Sequence, residues 1–518
     1  MTDHTIRHIA TVFPVDAEAL KPQSKLSQRR DIIREFSLNT SAHGIPGIAR
    51  SQSPHNRIFW FVSFIAFTGI MCYFIVTALL AYYSYPTETS INAVDEWPQP
   101  FPAVTICNYS PFRYDTLIEP FLNYTNALNL TNTTNTNTFS KQQALYVSDF
   151  AQYLLNQNES LKKFYYPLES MLIRCIYNDV NCTAADFVEF ISPVYGLCHT
   201  FNAEAPHINN GQLHYNNENG FSGSLQLDLY IHSHMYVPHL SDAVSIVTMV
   251  HDNQKLPIIE KFGAQLIPGR KHKLGYSKKR TTFLPSPYTT CSDTVTPGMR
   301  AMYDQFSGAD YDYTIEICFR VALQTYTYEV CGCVDPSQWA ARYVLPLDTT
   351  TVIHAPLCNV SDRCYYNAAD KFQNSKAISY KYGATCGLDC SIIEFILKIS
   401  SSLAPMQWNI DDIKTFVESS SIPLPLNWST TWSSEIQTNY VGINVICETT
   451  RVENNIQQAA LSPVDVISNI GGQTGLWIGI SFLSLMEVAE MFYRLIRHQF
   501  HRIREKLCQR TVNTDIKI

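Results

Sequence analysis

Two stretches of the chain stand apart because they carry no charge. From Ile58 to Thr87 no charged residue interrupts an apolar run whose middle reads FWFVSFIAFTGIMCYFIVTALLAYY. From Val466 to Met486 the same holds for VISNIGGQTGLWIGISFLSLM. Each exceeds the ~20 residues a helix needs to cross a bilayer. Between them the pattern changes. WPQPFPAVTICNYSPF places prolines around a β-rich run and predicts an extended strand, and NYTNALNLTNTTNTNT (123–138) is a polar loop. SDFAQYLLNQNESLKKF and YTIEICFRVALQTYTYEVCGC carry helical spacing, whereas SGSLQLDLYI and DAVSIVTMV alternate as strands do. The expectation is an α+β membrane protein: two transmembrane helices flanking a large β-sheet-plus-helix domain.

The flanks set the orientation. Arg50 and Arg57 precede the first stretch, and Arg494, Arg497, Arg502, Arg504, Lys506 and Arg510 follow the second. Positive residues on both outer flanks place both termini in the cytoplasm and the intervening segment outside. The polar and charged residues ahead of Ile58 argue against a signal peptide. All but two of the fifteen cysteines, Cys72 and Cys508, lie in the intervening segment, as an oxidising compartment would explain. So do the sequons at Asn108, Asn123, Asn129, Asn132, Asn158, Asn181, Asn359 and Asn427, all glycosylation candidates. The net charge of −7 is mild and gives no nucleic-acid signal. No Ser/His/Asp signature, His-Glu-x-x-His or Walker motif is present, so an enzyme is not expected, and neither is a cofactor or metal. Cys331-Gly-Cys333 reads as a disulfide pair rather than a metal site.

Four motifs in order carry a family resemblance. His43-Gly44 resembles the cytoplasmic His-Gly motif of the degenerin/epithelial sodium channel family. FPAVTICN (101–108) is similar to its strand after the first span, YGLCHTFN (195–202) to its Tyr-Gly-x-Cys-x-Thr-Phe-Asn signature, and NIGGQTGLWIGIS (469–481) to its second span. The resemblance covers nearly the whole chain. It implies a disulfide-rich ectodomain shaped like a clenched hand, with finger, thumb, palm, knuckle and β-ball, in a homotrimeric plasma-membrane channel. The expected divisions are a cytoplasmic N-terminal region (1–57), a first span (58–84), the extracellular domain (85–463), a second span (464–493) and a cytoplasmic tail (494–518). The implied disulfides are Cys107–Cys198, Cys175–Cys182, Cys291–Cys390, Cys318–Cys386, Cys331–Cys364 and Cys333–Cys358. One further thumb bridge of acid-sensing relatives falls on Ala322 and Ala384, and Cys447 is left without an assignment. Tyr85 and Tyr288 fall at the aromatic pair that couples gating; two ordinary interfacial tyrosines are the alternative.

By the same resemblance Gly479, Ile480 and Ser481 form the selectivity filter, with sodium preferred, and an amiloride-type compound blocks. Ser468, at the family's degenerin position, shares a stripe of small residues with Gly472, Gly475 and Gly479. Gly471, Gly475 and Gly479 at i, i+4, i+8 also suit close helix packing. Glu487 and Glu490 lie just below the filter, as a cation-concentrating ring or as partners of Arg494. His43-Gly44 folds back to line the lower pore.

The stimulus is read partly by exclusion. Acid sensing needs groups that titrate between about pH 5 and 7. The thumb stretch KFQNSKAISYKYGATC has no acid after Asp370, the facing VPHLSDAVSIV has only Asp242, and Pro86-Thr87 stands where those relatives carry a His pair. His232, His234, His239 and His251 are expected to be lone surface histidines. The leading expectation is a channel opened by an amidated, FMRFamide-type neuropeptide. Alternatives are a proton-gated or constitutively open channel and, in another class, a two-span receptor or adhesion protein.

Overall fold

The computed structural model describes residues 25–206, 208, 211–216, 219–220, 222–306 and 310–515. The first 24 residues of the N-terminal region and the last three of the tail lie outside them. The chain divides into two compact units, residues 88–458 and residues 1–87 with 459–518.

The larger unit is built on one long strand. Arg270–Thr282 buries the side chains of His272, Leu274, Tyr276 and Lys278, every second residue, while Lys271, Lys273 and Ser277 lie nearer solvent. Lys278 can be buried because its ammonium meets Glu96 at 2.8 Å. Along its whole length this strand pairs antiparallel with Ser391–Leu403. Its first half runs parallel to Tyr440–Cys447 and its last residues parallel to Arg451–Ala459. Tyr440–Cys447 is buried at every position, which explains its continuous apolar sequence. Leu225–Tyr230, Leu172–Tyr177 and Val180–Asn181 extend the sheet on one side and Thr87–Asp95 on the other. A second, five-stranded sheet runs in the order Ala264–Leu266, Ile246–His251, Ala103–Asn108, Gly196–Phe201, Phe187–Ser192. Its central strand is the FPAVTICN segment, also wholly buried.

Two helical groups surround the sheets. Tyr114–Ala127 and Val147–Asn156 pack around Phe121, Phe150 and Phe164. Ile315–Cys331, Arg363–Asn374 and Lys376–Tyr382 share a small core of Ala322, Tyr326, Ala368 and Phe372. Six disulfides are formed: Cys107–Cys198, Cys175–Cys182, Cys291–Cys390, Cys318–Cys386, Cys331–Cys364 and Cys333–Cys358. Gly332 ends its helix in the left-handed conformation (φ 73°), which turns Cys331 and Cys333 toward different partners. Cys447 is wholly buried, its Sγ 3.3 Å from the Thr449 carbonyl, and it behaves as a packing residue.

Some expectations change here. Asn108 is 2 % exposed and its Nδ2 donates to the Ile231 carbonyl at 2.9 Å. A glycan has no room there, whereas the other seven sequon asparagines are exposed. His232 and His251 are not surface residues; both are buried within hydrogen-bonded surroundings.

In the smaller unit Pro54–Tyr83 is one apolar helix, long enough to span a bilayer, with 6 % of its most apolar window buried. Pro463–Ile478 starts at a capping box of Ser462 and Asp465. It does not continue straight. With the helix that follows from Phe482 it forms a pair bent by 73°. The expected second span is therefore two helices, because the chain leaves helical geometry at Gly479.

Ala322 and Ala384 line one cavity of about 300 Å³ beside the Cys318–Cys386 bond. The double variant Ala322→Cys, Ala384→Cys is expected to form a further disulfide and to stabilise the domain by on the order of 3 kcal/mol. Non-reducing peptide mapping with a melting curve checks it. Two freely alkylated thiols would show that the positions do not meet.

Candidate functional site

The break in the Pro463–Ile478 helix is where sequence chemistry and geometry converge. Gly479 adopts φ 68°, a conformation L side chains rarely take. Its N–H donates to the Gly475 carbonyl at 3.1 Å and the Ile480 N–H to the Thr474 carbonyl at 3.2 Å, which closes the helix end. Ser481 then starts the next helix: its N–H donates to Ser484 Oγ at 3.0 Å, and the Ser484 N–H lies 3.4 Å from Ser481 Oγ.

The broken helix is completed by a distant part of the chain. The His43 N–H donates to the Ile478 carbonyl at 2.7 Å. The His43 ring lies so close to Gly479 that a Cβ built there would stand 2.7 Å from its Cγ. Gly479 is thus required twice, for its φ and for this approach. Gly44, at φ 91°, begins the short helix Ile45–Arg50 against Phe64. Of this pair, His43 meets the break itself and Gly44 packs on Phe64.

Below the break, Glu487 holds the same N-terminal segment. Its Oε2 accepts from Thr40 Oγ1 at 2.9 Å, from the Ser41 N–H at 2.9 Å and from Ser41 Oγ at 3.3 Å. Ser41 Oγ also meets Ser484 Oγ at 2.5 Å, and Ser484 Oγ lies 3.4 Å from the Gly479 carbonyl. Arg494 pairs with Glu35 at 2.8 Å rather than with Glu487, and Glu490 is exposed. Glu487 does not pair with Arg494; here it anchors the N-terminal segment. Thr40, Ser41 and Ser484 were not singled out from sequence. The signal was Ser481, Ser484 and Glu487 at i, i+3, i+6 in an otherwise apolar run.

The other face of the upper helix is open. Ser468, Gly472 and Gly475 are exposed, and a Cβ added at Gly471, Gly472 or Gly475 would meet nothing within 4 Å. Within one subunit these glycines therefore do not serve packing on Pro54–Tyr83. That contact is made by Trp477, which stacks 6.0 Å from both Phe67 and Phe74. Tyr85 sits at φ 49° with its ring 6.4 Å from that of Tyr82, in the smaller unit, and Tyr288 belongs to the larger one. Among the described residues no cluster of His, Cys, Asp and Glu could hold a metal ion.

Residues 36–491 match the family model described as "Amiloride-sensitive sodium channel". The chain is similar to "Epithelial sodium channel subunit gamma-2" of Xenopus laevis, 26 % identical over 349 residues, 65 % of this chain and 48 % of that protein. It therefore spans about half the length of that relative. It is also similar to "Acid-sensing ion channel 1" of Gallus gallus (24 % over 491 residues, 91 % and 85 %) and "Bile acid-sensitive ion channel" of Mus musculus (22 % over 494 residues, 91 % and 90 %).

Glu487→Gln keeps the shape but removes the charge that binds three donors. It is expected to loosen residues 40–44 and to reduce whole-cell current several-fold at equal surface density. Surface biotinylation with current recording checks it, and full current would leave the anchor without a functional role.

Proposed function

Since the chain belongs to the amiloride-sensitive sodium channel family, we propose that it is a subunit of a homotrimeric, sodium-selective, amiloride-blocked channel in the plasma membrane. Both termini are cytoplasmic, residues 85–463 are extracellular, and the second membrane crossing is the bent pair of helices. The observation that carries this reading is the helix break at Gly479-Ile480-Ser481, closed by His43. An anchor needs only apolar length, and a receptor or adhesion protein has no use for such a break. Ion conduction does: unwound backbone presents fixed oxygens that replace part of an ion's water shell. Three upper helices meeting on the Ser468, Gly472, Gly475 face would give that open stripe its partners. Tyr85 and Tyr288 couple the ectodomain to the gate.

Opening is by an FMRFamide-type amidated neuropeptide. Support comes from how poorly the domain is furnished for acid sensing. Burial lowers His199, His232 and His251 to about 4, so they remain largely neutral at pH 5. Asp242 accepts a hydrogen bond from Tyr109 at 2.6 Å instead of facing a second carboxylate. Burial pushes Asp389 up to about 6, inside the window, and raises Asp252 and Asp312 as well. Asp389 faces Lys255 and not a second carboxylate at contact distance, which suits modulation and not a steep response.

Voltage clamp of cells expressing the chain, with an acid step and a panel of amidated peptides, tests the reading. The peptide is expected to evoke an amiloride-blocked sodium current and the step to about pH 5 to give little sustained current. A large acid current without peptide would make proton gating the better account. Replacing Ser481 by Phe is expected to abolish current or alter Na⁺/K⁺ preference with surface expression retained.

The histidines also fix a sign for stability. Their folded values lie below the unfolded 6.5, so their contribution is full above 6.5 and is lost as pH falls toward 4. At pH 5 this amounts to about 2 kcal/mol per histidine. Asp389 acts oppositely, its contribution being present in acid and lost as pH rises through 6. The histidines prevail, and thermal stability of the solubilised channel is expected to fall between pH 7 and pH 5. A melting temperature that rises instead would mean these histidines are not buried neutral.

Ser468 lies eleven residues before Gly479, ~16 Å along a helix at ~1.5 Å per residue. Where three helices converge, bulk opposes closure more than opening. Ser468→Phe is expected to give standing current or slowed closing, and normal deactivation in a well-expressed variant would place the gate elsewhere.

A further inference from the structure

A cavity of about 520 Å³ lies in the larger unit between strand Ile246–His251, the turn Ile259–Phe262, the start of helix Ile315–Cys331 and the first half of strand Ser391–Leu403. Phe262, Phe395 and Leu397 contribute to a mostly apolar lining, and Phe262 is 56 % exposed at its edge. The charged groups of the lining are Asp252, Glu316, Asp389 and Glu394 against a single Lys255. Glu316 is paired with Lys261. Asp389 is different. It is 8 % exposed, and its Oδ1 is wholly buried without a hydrogen-bond partner. Lys255 Nζ stands 3.9 Å from that oxygen and also donates to the Tyr313 carbonyl, while the Ile315 backbone N–H donates to the Asp389 carboxyl group. A buried carboxylate oxygen left without a donor is costly, and a charged donor entering the cavity would reduce that cost.

We propose that this cavity binds a ligand combining a guanidinium with a bulky aromatic group, and specifically the Arg-Phe-amide end of the activating peptide. The guanidinium meets Asp389, and the aromatic ring packs among Phe262, Phe395 and Leu397. The proposal rests on the reading that a peptide opens the channel. Apolar lining, excess negative charge and a carboxylate with one oxygen that lacks a hydrogen-bond donor select this class over an anion or a neutral sugar. The position also suits a trigger. Ser391–Leu403 follows Cys390 directly and pairs along its length with Arg270–Thr282. That strand pairs with Arg451–Ala459, which leads in the chain to the capping box at Ser462.

The test uses the full-length channel in detergent and fluorescently labelled Phe-Met-Arg-Phe-amide, read by anisotropy, beside whole-cell currents. Asp389→Asn is expected to weaken binding about tenfold or more, the usual loss when a charge-assisted bond is removed. Phe262→Ala, at an exposed position that folding does not depend on, is expected to weaken it several-fold. A peptide with citrulline for arginine should bind wild type and Asp389→Asn alike. Should Asp389→Asn fail to reach the surface, Phe262→Ala carries the test. Wild-type affinity in the variants, or no binding to the wild type, overturns the proposal. Peptide-evoked current with unchanged sensitivity in both variants removes this site and leaves peptide gating standing. Binding that follows the pattern without current removes peptide gating and leaves the site.

Discussion

The smaller unit depends on one contact: the His43 backbone N–H on the Ile478 carbonyl, with the imidazole laid across Gly479. A helix break leaves carbonyls without intrahelical donors, and any that is shut away from water costs several kcal/mol unless a donor arrives. At this break the donors come from two sources. Ile480 folds back onto Thr474, and His43 arrives from a segment more than four hundred residues earlier in the chain. The polar cluster below follows from the same need. Ser41, Ser484 and Glu487 hold the segment that carries His43, so that the cap on Ile478 is kept in place from beneath. Glycine at 479 is then a consequence, because any side chain would occupy the space of the imidazole.

The larger unit answers a different demand, which is to hold a long strand and two helical groups in fixed register. Cys107 and Cys198 are directly opposite residues of neighbouring strands, so that bond locks a pairing already made. The bonds at Cys318, Cys331 and Cys333 act where cores are small. The core there has four buried side chains, two of them alanines, all from the first two helices, and covalent links add to what that small apolar area supplies. The cavity beside Asp389 lies where this cross-linked group meets the long strands.

Much of this is legible in the sequence, and the failures share a physical cause. Charge-free runs announce apolar helices, and the Gly479-Ile480-Ser481 stretch within the second was legible as a candidate site. Its 73° bend was not, since periodicity continues across Gly479 and only φ distinguishes a bend from a kink-free helix. Alternation identified strands such as Leu225–Tyr230 and Ile246–His251. Burial of polar residues was misread because composition suggests exposure for histidine and asparagine. His232, His251 and Asn108 are inside because each finds a partner there: the Ser170 carbonyl, the Thr105 hydroxyl and the Ile231 carbonyl. Glu487 was read against charges nearby in sequence, whereas its donors lie near residue 40. Partners brought together by folding over hundreds of residues leave little local trace.

The central claim is that His43 shapes the conduction path by completing the break. It is tested most directly by the reversal potential of the amiloride-blocked current, with sodium outside and potassium inside, for wild type and His43→Ala. The account predicts that the variant reaches the surface and reverses closer to zero, because the Ile478–Ser481 backbone is no longer held to one shape. A His43→Ala channel with wild-type reversal potential and unit conductance would contradict it.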